Sequence, residues 1–336
     1  MALPQPLAYI FEQLSGVFAP AGSNFSLTSL IAAFLIVWAV IALRRRGRKI
    51  ELRVLIRALF PRRIFRSMSC AADLQYFLFN VLAFALLFGW TIVSWKWLSG
   101  AVFDGLTASF GATTPSALPP ALTAALATLV LFLAYEFGYW VDHYLSHRIP
   151  ALWELHKVHH TAEILTPLTV WRVHPLETVK FANILALSTA TASGTMNWAF
   201  GATLSPFVVN GTNVLLVIFV HLTLHLQHTG VWIAFTGVAG RIFMSPAHHQ
   251  IHHSMDPRHF NCNLGSCLSV WDTLFGTLYV PSRLQEKLRF GVAGEGAAAH
   301  LPSGFLVTPV IKALGQLAPG VAAAPALASP DAAPKP

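Results

Sequence analysis

The histidines of this chain are clustered in a way that limits how it can fold. Thirteen of its fifteen histidines fall into three short stretches. These stretches are DHYLSHRIPALWELHKVHH at 142–160, HLTLHLQH at 221–228 and AHHQIHHSMDPRH at 247–259. Neutral imidazole is the commonest metal ligand in proteins, and residues three or four apart on a helix lie about 5–6 Å apart on one face. We therefore expect the stretches to meet around one metal ion or, with so many rings, around two.

The spacing within these stretches selects the candidate ligands. An HxxxH pair is followed by an HxxHH unit, and a second HxxHH unit lies in the third stretch. On a helix, an HxxHH unit places two rings on one face and the third on the adjacent face, so it can bridge towards two metals. The candidate metal ligands are His143, His147, His156, His159, His160, His225, His228, His249, His252 and His253. For His225 a packing or hydrogen-bonding role fits the spacing nearly as well as ligation.

Residues that orient the ligands should surround them, because a metal-bound histidine usually donates its second ring N–H to an acceptor. Glu136 lies seven residues before His143, on the same helical face and near a membrane boundary, where an acid is costly and usually functional. The expected outer partners are Glu136, His174, His248 and His259. His174 fits direct ligation equally well, whereas His221 is expected to be structural and His300 to have no role.

The composition indicates an integral membrane protein. Hydrophobic residues make up 55% of the chain and charged residues 11%, against the roughly 25% charged residues of soluble proteins. The net charge of +8 is concentrated between Arg44 and Arg66, which contain ten Lys/Arg and one acid. A charge placed in one juxtamembrane loop does not indicate a nucleic-acid partner. The three cysteines form no CxxC pair, so we expect them to be packing residues.

Charge-poor runs predict about five membrane-spanning helices. The runs are Leu27–Leu43, Leu74–Trp95, Ala121–Trp140 and the forty residues Phe181–Val220, which are long enough for two spans. Residues 96–120 are then an external loop. The basic stretch after the first span should be cytoplasmic by the positive-inside rule. Counting crossings puts the N-terminus outside, the C-terminus inside, and all three histidine stretches on the cytoplasmic side.

Several classes of function lack their signatures. The chain has no HExxH motif of a zinc peptidase, no GxSxG motif and no glycine-rich phosphate loop. A histidine-rich metal transporter and a metal-dependent scaffold remain as alternatives to an enzyme. A transporter should hold its ligands near mid-membrane between broken helices, whereas these stretches lie at span ends.

The motifs resemble the fatty acid hydroxylase (sterol desaturase) superfamily of membrane di-iron oxygenases. The stretches that carry the resemblance are WVDHYLSHRIPALWELHKVHH, WRVHPLE, LQHTG, SPAHHQIHHSMDP and NCNLGSCLSVWDTLFGT, together covering about Tyr135 to Thr277. On these motifs all the candidate ligands carry over, His225 less securely because members vary before the histidine that matches His228. Trp271, Asp272 and Gly276 match a late motif with an expected structural role.

The resemblance implies an all-α membrane protein with a four-helix core, here with an added N-terminal span, under a cytoplasmic histidine-rich cap. It implies two Fe ions, O₂ as co-substrate, and hydroxylation of a lipid C–H bond. Desaturation is the alternative within the superfamily. The lipid could be a fatty acyl chain, a sterol, a carotenoid or an aminolipid. The chain lacks the HPGG signature of a fused cytochrome b5 domain, so we expect a separate ferredoxin- or cytochrome b5-like electron donor.

The same reasoning divides the chain into three parts. Residues 1–70 hold the first span and the basic cytoplasmic loop, and residues 71–290 form the membrane di-iron hydroxylase domain. Residues 291–336 are rich in Ala and Pro, which predicts a disordered tail.

Overall fold

The computed structural model describes residues 4–45, 51, 53, 56, 62 and 64–317, and the described chain is mostly helical. The predicted all-α class is therefore confirmed. Most of the predicted basic cytoplasmic loop and residues 318–336 of the predicted tail lie outside the described residues.

The helices are short in the cap and long in the membrane region. In chain order they are α1 (Gln5–Phe18), α2 (Leu27–Arg44), α3 (Met68–Leu82), α4 (Phe84–Phe88), α5 (Trp95–Phe110), α6 (Pro120–Arg148), α7 (Pro150–His160), α8 (Pro175–Phe200), α9 (Val214–Phe219), α10 (His225–Gln227), α11 (Gly237–Ile242), α12 (Pro246–His252), α13 (Val270–Phe275), α14 (Pro302–Leu306) and α15 (Thr308–Gln316). A π-helical turn, Val220–Leu224, joins α9 to α10. Short 3₁₀ turns lie at Ile64–Arg66, Gly89–Thr91, Pro167–Trp171, Pro257–His259 and Ala297–His300. Two short antiparallel strands, β1 (Val208–Val209) and β2 (Thr212–Asn213), form a hairpin before α9.

Three helical stretches of the described chain are long and apolar enough to cross a membrane. They are Leu27–Arg44, Phe84–Phe110 and Pro120–Arg148. Large apolar side chains around the second stretch face outwards, with Trp90 83% exposed and Leu86 68% exposed. Extensive exposed apolar surface marks a membrane-contacting face. An integral membrane protein is thus supported, but the predicted count of five spans is not confirmed.

The prediction that residues 96–120 form an external loop is wrong, because α5 occupies much of this range. The predicted span Leu74–Trp95 is also divided, since α3 ends at Leu82. Gly194 of α8 lies against Ser99 of α5 so closely that a side chain there would overlap the Ser99 carbonyl. Lys96 and Asp104 are exposed on α5 and do not interrupt it.

The turn between α6 and α7 positions most of the histidines. Helix α6 ends at Arg148 and Pro150 begins α7, at a position where its missing N–H leaves no hydrogen bond unmade. Helix α6 packs along α8, and Ser188 of α8 donates a hydrogen bond to the Ala134 carbonyl at 2.7 Å. The end of α6 that carries the histidines is thereby fixed against the rest of the membrane helices.

Residues 291–317 of the C-terminal segment are described and contain α14 and α15, so the prediction of a disordered tail is wrong for this part. Phe305 of α14 is buried against Tyr76, with 4.3 Å between ring centroids. Glu295 accepts from Lys157 of α7 at 2.9 Å and from Lys312 of α15 at 2.7 Å. The high Ala and Pro content predicted disorder because it does not reflect the few residues, such as Phe305, that attach the segment to the rest of the protein.

His300, expected to have no role, is buried within this segment. Its Nδ1 accepts a hydrogen bond from Arg172 at 3.2 Å, and its Nε2 lies 3.4 Å from a Glu163 carboxylate oxygen. His300 therefore helps to attach the C-terminal segment to the cap.

A buried ion pair joins these elements beneath the histidines. Arg172 and Asp73 are both fully buried, and the guanidinium Nε lies 3.0 Å from a carboxylate oxygen. Asp73 of α3 also accepts hydrogen bonds from Thr166 at 3.1 Å and Thr169 at 2.8 Å. Arg172 further donates to the Ser69 carbonyl at 3.0 Å. The pair thus links α3 to the turn that precedes α8.

We predict that Asp73→Ala strongly destabilises the chain, because it leaves a buried guanidinium without its counter-charge. Breaking such a pair lowers the free energy of unfolding by about 3–5 kcal/mol. Denaturant unfolding in detergent, followed by tryptophan fluorescence, measures this loss. Asp104→Ala removes an exposed acid from α5 and serves as the matched control, expected to change stability by less than about 0.5 kcal/mol. Equal stability of the two variants would contradict this role of Asp73.

Candidate metal centre

Five of the candidate ligands come from the adjoining ends of α6 and α7. His143 and His147 lie one turn apart near the end of α6, and the last turns of α7 carry His156, His159 and His160. The turn between the helices brings the two sets together. The rings of His143 and His156 are 4.8 Å apart between centroids, and those of His147 and His160 are 5.0 Å apart.

The other ligands that join them come from α12 and the end of α10. Helix α12 starts at a capping box in which Ser245 and His248 satisfy each other's backbone N–H groups. Its residues Ala247 and Ile251 are fully buried against Trp232 in the cap. The packing of this apolar face positions the histidines of the helix at the centre.

The structure brings nine of the ten predicted ligands together in two groups of buried side chains. The five-histidine group consists of His143, His147, His156, His160 and His252. The four-histidine group consists of His159, His228, His249 and His253. Within each group one ring nitrogen of every residue lies within 4.8 Å of all the others. Ligation by these nine residues is a proposal based on this geometry.

The inward-facing nitrogens show that the groups fit metal cations. His156 Nε2 lies 3.2 Å from His143 Nε2 and 3.1 Å from His160 Nε2. In the other group, His249 Nε2 lies 3.0 Å from His228 Nε2 and 3.1 Å from His253 Nε2. A neutral ring carries one proton, so a ring that donates from Nδ1 presents a lone pair at Nε2. His143 and His156 both donate from Nδ1, so their Nε2 lone pairs repel each other at 3.2 Å, and a cation between them removes the repulsion.

Two further observations support this fit. The Nε2 atoms of His147 and His252 are buried and have no hydrogen-bond partner among the described residues. Burial also lowers the pKa of His228, assisted by the neighbouring His252, to about 3. Burial lowers the pKa of His252 to about 3 as well, although its hydrogen bond to the Cys262 carbonyl opposes the shift. These two rings are therefore neutral near pH 7, the state in which imidazole binds a metal.

Backbone and side-chain acceptors fix the outer nitrogens of the five-histidine group. The acceptors for Nδ1 are the Leu264 carbonyl for His143 at 2.8 Å, Asn261 Oδ1 for His147 at 3.3 Å, the Cys262 carbonyl for His252 at 2.9 Å and the Glu177 carboxylate for His156. Three of these four acceptors belong to one segment, residues 261–264. Such partners set the tautomer and orientation of metal-binding histidines.

Glu177 is the outer partner that the sequence analysis missed. It lies in the first turn of α8 and is buried, where its carboxylate accepts the hydrogen bond of His156 Nδ1. The stretch WRVHPLE, which carries part of the family resemblance, contains this residue. Its position just after His174 and Pro175, at the start of a helix, was the available signal.

Two buried carboxylates hold the segment that supplies the backbone acceptors. Asp272 accepts hydrogen bonds from the N–H groups of Leu264 and Gly265, both at 2.8 Å. Glu136 accepts from the N–H groups of Cys267 and Leu268 at 2.9 and 2.8 Å. The predicted structural role of Asp272 agrees with these contacts. Glu136 acts through the backbone of this segment and not on a candidate ligand, which corrects the prediction for it.

The other predicted outer partners form hydrogen bonds and contacts elsewhere. His174 caps α8, accepting from the Leu176 N–H at 3.2 Å, and its Nε2 donates to the Leu306 carbonyl. His248 Nε2 donates to the Gly240 carbonyl at 3.0 Å. The His259 ring packs on Tyr279, with its Nε2 3.6 Å from Glu286. These three residues hold the cap together and do not orient the candidate ligands.

His225, predicted as a ligand, belongs to neither group. Its Nε2 lies 2.8 Å from Ser29 Oγ of α2, and its ring packs edge-on against Phe25. His228, three residues later, leaves the helix with φ −106° and ψ 53°, so the two rings do not share a helical face. His221 is structural as expected, with its Nδ1 donating to the Val217 carbonyl. Both residues contact the start of α2, which runs beside the centre.

Within the described part of the chain, two cavities contact the histidine groups, and they share no histidine. The larger, about 480 Å³, contacts His143, His156, His159, His228 and His249. The rest of its wall contains aromatic residues, among them Tyr135, Tyr139, Trp171, Phe181 and Phe219, together with aliphatic and polar side chains and the carboxylates of Asp142 and Glu177. The second, about 350 Å³, contacts His147, His160, His252 and His253, and its wall includes Arg148, Glu154, Lys157 and Glu295. The wall of the larger cavity is therefore the less charged of the two, with two acids and no Lys or Arg.

We predict that Asp272→Asn lowers metal occupancy without unfolding the chain. The new amide N–H₂ would face a backbone N–H of the 264–265 turn, so the turn that carries the acceptor for His143 shifts. Loss of such outer support typically costs 10–100-fold in metal affinity. Metal per chain after equilibrium dialysis at fixed metal concentration measures the change. Asp256→Asn, on a surface turn, is the matched control and should keep full occupancy; full occupancy in both variants would contradict this role of Asp272.

Comparison with known families gives one match that covers the histidine motifs. Residues 128–277 match the family model described as fatty acid hydroxylase. This range contains all nine histidines of the two groups, Glu177 and the Asp272 motif. No solved structure matches the chain significantly.

Several characterised proteins are similar over the same part of the chain. Ornithine lipid hydroxylase OlsE from Rhizobium tropici is 30% identical over 56% of this chain and 50% of its own length. Alkylglycerol monooxygenase from Homo sapiens is 28% identical over 48% of this chain and 32% of its own length. Cholesterol 25-hydroxylase from Homo sapiens is 28% identical over 51% of this chain and 59% of its own length. Less than two thirds of each relative is therefore matched. These comparisons confirm the resemblance predicted from the histidine motifs: residues 128–277 match the fatty acid hydroxylase family.

Proposed function

We propose that the chain is a membrane-bound, non-haem di-iron oxygenase that hydroxylates an unactivated C–H bond of a lipid. The observation that carries the proposal is the apolar cavity of about 480 Å³ that contacts histidines of both groups. Its volume lies within the range of roughly 300–1,000 Å³ of ligand pockets. The similar proteins are named as hydroxylases or monooxygenases of an ornithine lipid, an alkylglycerol and cholesterol. A fatty acyl chain, a sterol, a carotenoid or an aminolipid would suit this cavity.

The nine histidines would hold two iron ions, one in each group. Imidazole suits iron as well as zinc, and the family match favours iron. When bound, the ions would supply the reduction of O₂ and the insertion of one of its oxygen atoms into the C–H bond. The protein contributes ligation, orientation and exclusion of water, as in other cofactor enzymes.

The aromatic wall of the larger cavity would bind the substrate. Tyr139 packs edge-on against both His143 and Phe181, so the aromatic wall continues directly from a candidate ligand. An apolar chain lying along this wall excludes water from the centre and brings one C–H bond to it. The polar group of the lipid then remains away from the histidines.

We place the N-terminus outside, the C-terminus in the cytoplasm and the metal centre on the cytoplasmic side. Arg44, at the start of the basic stretch, donates a hydrogen bond to the Trp232 carbonyl. Trp232 packs against α12, which carries candidate ligands. The proposed orientation rests on the basic stretch that begins at Arg44, because basic loops beside a span are cytoplasmic. A soluble ferredoxin or cytochrome b5-like protein on that side would supply the electrons.

The hydroxylase is favoured over both alternatives. A desaturase of the same superfamily would share the histidines, but the similar proteins are named as hydroxylases or monooxygenases. A transporter needs ligands between broken helices at mid-membrane. Here His143 and His147 lie at the end of the long helix α6. We retain 1–70 and 71–290 as the proposed division of the chain, with 291–317 attached to the second part.

The proposal is tested by metal analysis and oxygen uptake of the detergent-purified chain. We expect about two irons per chain, and O₂ consumption that requires both a reductant and a lipid extract. Mass spectrometry should then find a lipid that has gained one oxygen atom. One zinc per chain, with no uptake after iron reconstitution, would refute the oxygenase.

We predict that His252→Ala abolishes product formation, because it removes an inward nitrogen of the five-histidine group. His221→Ala is the matched control, since His221 lies outside both groups, and it should retain at least about half of the activity. Product formed per chain, measured by mass spectrometry, compares them. Thermal unfolding of both metal-free variants tests folding. Full turnover by the His252 variant would rule out its role as a ligand.

We also predict that Leu216→Trp blocks turnover while iron content stays at the wild-type level. Leu216 lines the apolar cavity, so a larger side chain there occupies the volume proposed for the lipid. Ile218→Trp is the control on the same helix, because Ile218 is 49% exposed and faces outwards. We expect at least a 10-fold loss of lipid-dependent O₂ uptake only in the first variant. Equal uptake by both variants would place the substrate elsewhere.

A further inference from the structure

The two histidine groups differ in their number of ligands and in their surroundings. Five inward nitrogens converge in one group and four in the other. Each additional neutral imidazole adds a bond to a cation that the smaller group cannot make. The hydrogen bonds at the outer ring nitrogens increase this difference in affinity for a cation between the two groups.

The five-histidine group is arranged in advance for a cation. Four of its five rings have an acceptor at Nδ1, and each acceptor fixes the tautomer whose Nε2 lone pair points inward. One of the acceptors is the Glu177 carboxylate at His156, which places a negative charge beside an otherwise neutral ligand set. A nearby negative charge favours the binding of a cation.

The four-histidine group lacks most of this support. His159 Nδ1 has the Arg172 carbonyl as its acceptor, at 3.3 Å. The Nδ1 atoms of His228, His249 and His253 are buried, and no residue described in the structure bonds to them. When Nε2 binds a metal, the ring proton must sit on Nδ1, where it is buried without an acceptor. An outer partner is worth 10–100-fold in metal affinity, so its absence at three rings weakens this position.

We propose that the two metal positions fill in order. The five-histidine group takes the first ion, and the four-histidine group takes the second with an affinity at least about 10-fold lower. This inference rests on the proposed function, which requires both positions. Under limited metal supply the chain holds one ion, and its activity follows the occupancy of the four-histidine group. That group is therefore where metal availability regulates the enzyme.

The order is tested by titrating the metal-stripped full chain in detergent with Co²⁺, whose visible absorption reports histidine ligation. Equilibrium dialysis gives the number of ions bound. We expect one equivalent to bind tightly and a second to bind with a dissociation constant at least about 10-fold higher. Two equivalents binding in one step would overturn the order. A folded chain that binds no Co²⁺ would instead refute the proposed metal centre itself.

Matched variants assign the two steps. His249→Ala should remove the second step and leave the first within about twofold of wild type. His143→Ala should weaken the first step by about 10–100-fold. His221→Ala, outside both groups, should keep both steps. If His249→Ala weakened the first step more than His143→Ala did, the order would be the reverse of the one proposed.

Glu177→Gln tests the contribution of the buried charge. The glutamine oxygen can still accept the hydrogen bond of His156, but the negative charge is lost. We expect the first step to weaken about 10-fold and the second to stay unchanged. Circular dichroism and thermal unfolding of the metal-free variant establish that it is folded. A first step equal to that of wild type in the folded variant would show that Glu177 does not favour the first position.

Discussion

The repulsion between inward-facing imidazole nitrogens is the constraint on which the rest of the structure depends. In each group, neighbouring Nε2 atoms lie 3.0–3.2 Å apart in a buried environment. A low local dielectric strengthens electrostatic interactions between the ring nitrogens. Closely packed neutral rings therefore need either a cation between them or hydrogen-bond acceptors that hold their outer Nδ1 atoms in place. The chain supplies support mainly to the five-histidine group. Its acceptors include two backbone carbonyls, those of Leu264 and Cys262, which cannot rotate away as a side chain can.

That support depends in turn on buried charge. Burying a carboxylate is costly unless it is hydrogen-bonded or paired. Glu136 and Asp272 each accept two backbone hydrogen bonds from the segment behind the centre, and Asp73 is paired with Arg172. The Arg172 carbonyl is itself the acceptor for His159. The same contacts that offset the cost of burial therefore fix the position of the ligands.

The sequence predicted the candidate ligands better than the groups that accept hydrogen bonds from their outer ring nitrogens. Ligands such as His143 and His147 follow from helical spacing alone, because a spacing of four defines one face of a helix. The same rule failed for His225, since His228 leaves the helix and the spacing no longer describes a shared face. Outer acceptors such as the Leu264 carbonyl have no signature in the sequence. The Leu264 carbonyl is brought to His143 by a tertiary contact between segments more than a hundred residues apart, over which it accepts a 2.8 Å bond.

The errors in the fold have the same origin. Residues 96–120 lie between two charge-poor runs, which predicts a loop, but α5 forms there and packs closely on α8 where Gly194 meets Ser99. The Ala- and Pro-rich composition of the C-terminal segment predicted disorder, although Phe305 is buried against Tyr76 of α3. In both cases one or two well-placed residues decide the outcome. The composition of a segment does not reveal these residues, because their effect depends on a tertiary contact with a distant part of the chain.

The separation of the two cavities determines how a lipid can reach the centre. A hydrocarbon chain that entered the second cavity would displace water from Arg148, Glu154 and Lys157, and removing water from charged groups is costly. Entry into the larger cavity costs less, because its wall contains only two charged side chains, Asp142 and Glu177, which are already bonded to Lys180 and His156. The proposed lipid would therefore enter on the side formed by His143, His156, His159, His228 and His249. Since those histidines belong to both groups, a substrate on this side would lie next to both proposed metal positions at once.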